Sequence, residues 1–291
     1  MFTVALISIQ DGPAFTSDPS FCNLPTPYLA AMPPRRKKKS KNGAVAAIIV
    51  SVVAALAAIA WLLYLWADRE DVRMITYKEF GIPMPTSYAI HGIDVSRYQQ
   101  RISWTAVREM NVDGIRLGFA FIKATEGVRN TDPFFRRNWR KSREAGIVRG
   151  AYHFFLPTKS GRAQAANFIA TVDLEPGDLP PVLDVEMAAG AKPAAIRKEV
   201  QAWLDSIEGH YRVRPVIYAN ISFYNRYLAG YFDDYPLWIA HYLQPLQPRI
   251  QRAWSFWQHS ETGHANGIAT SVDFNVFNGD STQFRSLLVG Q

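Results

Sequence analysis

Residues 179–187 read LPPVLDVEM, a short apolar run that ends in Asp184 and Glu186, two acids separated by one residue. Side chains two positions apart on a strand share a face, with Cα atoms about 6.6 Å apart. At that spacing each carboxylate feels the other's charge, and the drier one is pushed toward its protonated form. One protonated and one ionised carboxyl make the pair that glycosidic-bond cleavage requires. The first gives a proton to the leaving oxygen, and the second faces the oxocarbenium-like centre.

Such a pair needs elements that hold it. Eight short apolar runs recur after residue 88: AIHGIDVS (89–96), GIRLGFAFIKAT (114–125), GIVRGAYHFF (146–155), PPVLDVE (180–186), RPVIYAN (214–220), PLWIAHY (236–242), WSFWQHS (254–260) and SVDFNVF (271–277). Amphipathic stretches separate several of them. In PAAIRKEVQAWLDSIEGHY, residues Ile196, Val200, Trp203, Leu204 and Ile207 fall on one helical face. Strands alternating with helices predict a parallel sheet with crossovers, and eight strands are the number that closes a barrel. After residue 220 the connections are short and helix-poor. The expected fold class is therefore α/β, an irregular TIM-like (β/α) barrel with eight strands and fewer than eight helices.

In nearly every run the polar residue falls at the C-terminal end: Asp94, Lys123, His153, Asp184 with Glu186, Tyr218, His241 and Gln258. Asp273 is the exception, entering at the start of its run. Barrel chemistry sits at the C-terminal mouth, where distant residues meet in one pocket. Bland readings compete. A strand-end His can be a satisfied structural residue, Gln258 can bond to backbone, and Tyr218 can be core with its hydroxyl paired. Trp238, Trp254 and Trp257 can pack between sheet and helices or serve as sugar platforms. His91, Asp94, His153, Asp184, Glu186 and His241 are the residues that could hold a divalent cation, but the sequence has neither HxH nor HExxH. No metal and no cofactor are expected.

HGIDVSRYQ, FAFIKATEG with the following DPFF, AGIVRGAYHFF, PVLDVE, VIYAN, LWIAHY, FWQHS and VDFNVFNG, in that order, resemble the family-25 glycoside hydrolases, the lysozyme-type N-acetylmuramidases. The resemblance spans residues 89–288. It implies hydrolysis of the β-1,4 bond between N-acetylmuramic acid and N-acetylglucosamine in peptidoglycan glycan strands. It also implies Glu186 as general acid. Asp184 would assist the substrate's acetamido group or stabilise the charged centre directly, and Asp94 and Asp273 would be the other two acids of the cleft. Lys123, Glu126, Tyr152, His153, Tyr218, Trp238 and Gln258 match its substrate-binding shell. Retention and inversion both remain open at this stage. Two other readings are a chitinase-like hydrolase, whose longer DxxDxDxE run is replaced here by prolines and Val182, and a glycan-binding barrel without turnover.

The remaining residues speak to location. Ala44 to Ala67 is uncharged and, at about 1.5 Å per residue, reaches about 36 Å as a helix, enough for a hydrocarbon core of about 30 Å. A cleaved signal peptide, whose apolar region runs about 7–15 residues, is the shorter alternative. RRKKKSK (35–41) before the span and the mixed ADREDVR after it predict an N-terminus in the cytoplasm and a catalytic domain outside. The expected organisation is a basic, disordered tail (1–43), a single-pass anchor in the cytoplasmic membrane (44–67), a spacer (68–88) and the catalytic barrel (89–291). Met32 is a second candidate start. The net charge of +7 owes much to that tail. A basic run beside a span is a topology signal, so nucleic acid is not an expected partner. The one cysteine, Cys22, lies in the tail, which leaves the barrel to be held by its core alone.

Overall fold

The computed structural model describes residues 41–67 and 74–290. Two units are described separately. The first is helix α1 (Lys41–Ala67), whose Asn42–Tyr64 stretch is long and apolar enough to cross a membrane. Its large apolar side chains, among them Ile48, Leu56, Trp61 and Leu63, are exposed. Most of the tail, including Cys22, Met32 and the start of RRKKKSK, lies outside the described residues, as do 68–73.

The second unit is a closed barrel of eight strands: β1 (His91–Val95), β2 (Ile115–Glu126), β3 (Val148–Phe154), β4 (Val182–Asp184), β5 (Val216–Asn220), β6 (Leu237–Ala240), β7 (Phe256–Gly263) and β8 (Val272–Phe277). Each lies inside one of the eight apolar runs, except where β2 and β7 extend past the end of theirs. Helices α2 (Trp104–Glu109), α3 (Phe135–Glu144), α4 (Gly161–Ile169) and α5 (Pro193–Tyr211) follow the first four strands. Beyond β5 there is only the short helical segment 221–228 before the closing helix α6 (Ser281–Ser286). The barrel is thus short of helices in its second half.

One expectation is corrected. Pairings from β1 through β7 are parallel, but β8 runs antiparallel to both β7 and β1. The β7–β8 connection is a hairpin-like return with no crossover helix, which reverses the strand. The start of β8 therefore reaches the rim where the other strands end. This explains Asp273, whose Cα stands opposite that of Asp94.

Two apolar layers hold the domain. Inside the barrel, Phe119, Phe121, Val182, Val216, Trp238, Phe256 and Phe277 are packed together, with Phe284 of α6 against Phe119 and Phe277 at centroid distances of 5.7 and 5.1 Å. The rings leave no room for neighbouring side chains: a Cβ on Gly92 or Gly150 would come within 2.6 Å of Phe119 or Phe121. Outside the barrel, the buried face of α5 is Ile196, Val200, Trp203, Leu204 and Ile207, the set its helical spacing predicts. Each such side chain contributes about 1.5–3 kcal/mol on burial.

The expected spacer is only partly one. Met74–Tyr77 and Ile82–Pro85 form an antiparallel ribbon, and its Phe80, Ile82 and Met84 belong to the outer core. Phe80 meets Phe274 edge-on at 5.4 Å, so this segment folds with the barrel.

Candidate active site

Strand ends converge at one rim because inward-facing positions recur every second residue. β1 contributes Asp94, β2 Lys123, β3 Tyr152, β4 Asp184, β5 Tyr218, β6 Trp238, β7 Gln258 and β8 Asp273. With Glu186, just beyond β4, they line one cavity of about 270 Å³. A register shift in the β2–β3 pairing falls between Lys123 and Thr125, so Lys123 turns into the cavity while Thr125 faces outward.

The acids sit in two pairs. Asp94 Oδ2 accepts from Asn275 Nδ2 and Gln258 Nε2, each at 2.8 Å, and Gln258 Nε2 also reaches Asp273 Oδ2 at 3.3 Å. Burial raises Asp94 to about 6, held there against further rise by its amide donors. Burial and then the Asp94 charge raise Asp273 to about 9. The amide donors favour the ionised form of Asp94, and the Asp94 charge favours the protonated form of Asp273. At the second pair, burial first and the Glu186 charge next push the Asp184 carboxyl well above its ordinary range. Asp184 Oδ1 is buried with no hydrogen-bond partner among the described residues. Burial also raises Glu186, which Lys123 opposes.

Tyr218 does not hydrogen-bond to Asp184. Its hydroxyl donates to Gln258 Oε1 at 2.9 Å, as does that of Tyr242 at 2.7 Å. Both tyrosines thereby fix the Gln258 amide with its nitrogen toward the acids. Trp238 Nε1 donates to Asn275 Oδ1 at 2.7 Å and orients that amide the same way.

Two of the residues expected in the binding shell lie elsewhere. His153 is behind the wall: its Nδ1 is 2.6 Å from Thr125 Oγ1, its Nε2 is 3.2 Å from Gln164 Oε1, and its ring stacks on Trp203. Glu126 pairs with Lys123 at 2.7 Å and faces an adjacent cavity. His241 also points away from the mouth and accepts from the Arg249 backbone N–H at 3.1 Å. Trp254 and Trp257 pack with Tyr88 on the outer face. Tyr242 and Asn275 were missed, yet alternation from Trp238 and from Asp273 marks both as inward. Glu261 joins the lining too. Among the described residues, no group of three or more His, Cys, Asp or Glu is arranged to hold a metal ion.

Against known proteins, the family model described as Glycosyl hydrolases family 25 matches residues 93–268. The chain belongs to glycoside hydrolase family 25. It is 51% identical over 213 residues to the protein YegX of Escherichia coli O157:H7, covering 73% of this chain and 78% of that one. Lysozyme M1 of Streptomyces globisporus is 36% identical over 220 residues, 70% of this chain and 73% of that protein. A family 25 glycosyl hydrolase from Bacillus anthracis superposes with a TM-score of 0.65 at 31% identity, over 73% of this chain and 99% of that structure. Family membership makes the chain a glycoside hydrolase of the lysozyme and muramidase type.

Proposed function

We propose that this family-25 enzyme is a membrane-anchored muramidase that cleaves the β-1,4 bond between N-acetylmuramic acid and N-acetylglucosamine, with Glu186 as general acid. The observation that carries the reading is the meeting of Asp94, Asp184, Glu186 and Asp273 in one cavity. Glu186 is the half-buried member of its pair, beyond the end of β4 and nearest the mouth. Its raised carboxyl keeps a proton available for the leaving oxygen. Lys123 limits that rise, so the proton can still be given up.

Asp184 lies deeper, with a free acceptor in a dry site. A buried oxygen without a donor is costly, and an acetamido N–H arriving with the substrate removes that cost. Asp184 acts as the anion once its proton has left to solvent as the substrate binds: the acetamido N–H and the positive charge growing at the sugar favour its ionised form, against the burial and the Glu186 charge that raise it. In this scheme Asp184 either holds the acetamido group against the anomeric carbon or faces the charged centre itself. Asp94, ionised and fixed by two amides, adds a constant negative potential across the cleft.

Helix α1 would tether the enzyme to the cytoplasmic membrane, and the basic run RRKKKSK would keep the N-terminus in the cytoplasm and the barrel outside. A reporter fused after residue 291 should be active only outside the cytoplasm; cytoplasmic activity alone would reverse the topology. For the chemistry, Glu186→Gln should fold and bind glycan while turnover of purified peptidoglycan falls about 10²–10⁴-fold. Turnover equal to that of the native protein would remove the assignment.

A further inference from the structure

A second cavity of about 430 Å³ adjoins the acid cleft, where the β1–α2 connection meets the one between β2 and α3. Lys123 lines both cavities, so they meet at that side chain. The lining carries three cations, Arg97, Lys123 and Arg129, against two acids, Glu126 and Asp132. Both acids are already engaged. Glu126 Oε2 lies 2.7 Å from Lys123 Nζ, and Asp132 accepts the backbone N–H groups of Arg97 at 2.7 Å and Phe134 at 2.9 Å. Arg97 and Arg129 are exposed and have no ion-pair partner among the described residues. The Arg97 guanidinium rests over the Tyr98 ring, 5.2 Å from its centroid, and Tyr98 itself lines the acid cleft.

The acid cleft needs such a neighbour. Its lining carries five carboxyls, Asp94, Asp184, Glu186, Glu261 and Asp273, and its one Lys or Arg, Lys123, is already paired with Glu126, so the cleft itself offers an anionic strand no free cation. Muramoyl sugars are anionic: each carries a carboxylate on its lactyl arm or, through that arm, a peptide with carboxylates of its own. Polymers of N-acetylglucosamine alone carry none. Two unpaired guanidiniums beside the cleft supply the missing attraction, and they offer it only to a strand that bears carboxylates.

We infer that Arg97 and Arg129 bind the carboxylate-bearing arm of a muramoyl residue in the strand being cut, and so select muramoyl glycans over neutral ones. This deepens the muramidase reading and rests on it.

The test compares the full chain in detergent with R97A/R129A and R97K/R129K, each made also in a Glu186→Gln background for binding. Three substrates are used: intact peptidoglycan, strands stripped of peptide, and stripped strands whose lactyl carboxyl is reduced to the alcohol. Both co-sedimentation and kcat/KM are measured at low and high salt. The preference of the parent protein for carboxylated over reduced strands should fall about tenfold in R97A/R129A. R97K/R129K should keep most of it, and salt should weaken it in the parent. A loss seen with stripped strands assigns the lactyl carboxylate; a loss confined to intact material assigns the peptide. An undiminished preference in R97A/R129A overturns the inference. Should the native protein cleave none of the three while its binding preference still depends on the two arginines, the muramidase reading falls and this site stands.

Discussion

The two ends of the barrel bury charge in opposite ways. At the N-terminal end, Arg149 is 3% exposed and fully engaged. Its guanidinium donates to Asp178 Oδ1 at 2.7 Å and Oδ2 at 3.1 Å, to Trp139 O at 2.7 Å and to Glu175 at 3.2 Å, and it lies over the Trp139 ring at 3.9 Å. At the C-terminal rim, Asp184 is nearly as buried, at 7% exposed, but it has a second carboxyl beside it and an oxygen with no hydrogen-bond partner among the described residues. The first arrangement is what a fold does with charge when nothing else is asked of it. The second is kept in spite of its cost, as active sites are.

Substitutions at the two ends should therefore separate activity from stability. The largest effect should be at the rim: Asp184→Asn should lower kcat on peptidoglycan about 10²–10³-fold while raising stability by about 1 kcal/mol, because it removes a dry carboxyl beside Glu186. Steady-state kinetics and denaturant unfolding on the same sample read both. At the other end, Arg149→Met should cost about 3 kcal/mol or more by leaving the buried Asp178 carboxylate without its cation, with kcat per folded molecule retained. If Asp184→Asn destabilised and Arg149→Met did not, the contrast between the ends would be wrong.

Titration sharpens the comparison. Asp273 is held at about 9, above its unfolded value. Its contribution to stability is present below the unfolded value and lost as pH rises toward 9. Asp273→Asn should therefore flatten the fall in stability between about pH 4 and pH 9. The buried histidines act with the opposite sign. Burial lowers His91 to about 4 and His153 and His259 to about 3. Their neutral forms support the fold above about 6.5, and that support drains away as pH falls toward 4 and 3. His153→Gln should reduce the acid sensitivity of unfolding without moving the pH profile of kcat. Tyr242→Phe should have the smallest effect, about 1 kcal/mol, since Tyr218 still donates to Gln258.

The pattern of the chain disclosed the strands, the buried face of α5 and the four acids, because each is a local repeat of type and spacing. Direction and facing were harder. Asp273 looked out of place until the reversal of β8 brought the start of that strand to the rim. Reversal depends on how the chain returns after β7, which no local pattern encodes. His153 and His241 drew notice by residue type, yet strict alternation from Tyr152 and Trp238 turns both outward and brings Tyr242 inward. The ribbon at 74–85 escaped notice because its strands are short and one contains two prolines, features that usually mark a linker.

The most direct measurement identifies the sugar that carries the new reducing end after digestion of purified peptidoglycan by the native protein and by Glu186→Gln. The expected result is N-acetylmuramic acid at the new ends with the native protein, and almost none with the variant. New ends on N-acetylglucosamine, or equal release by both proteins, would contradict the account.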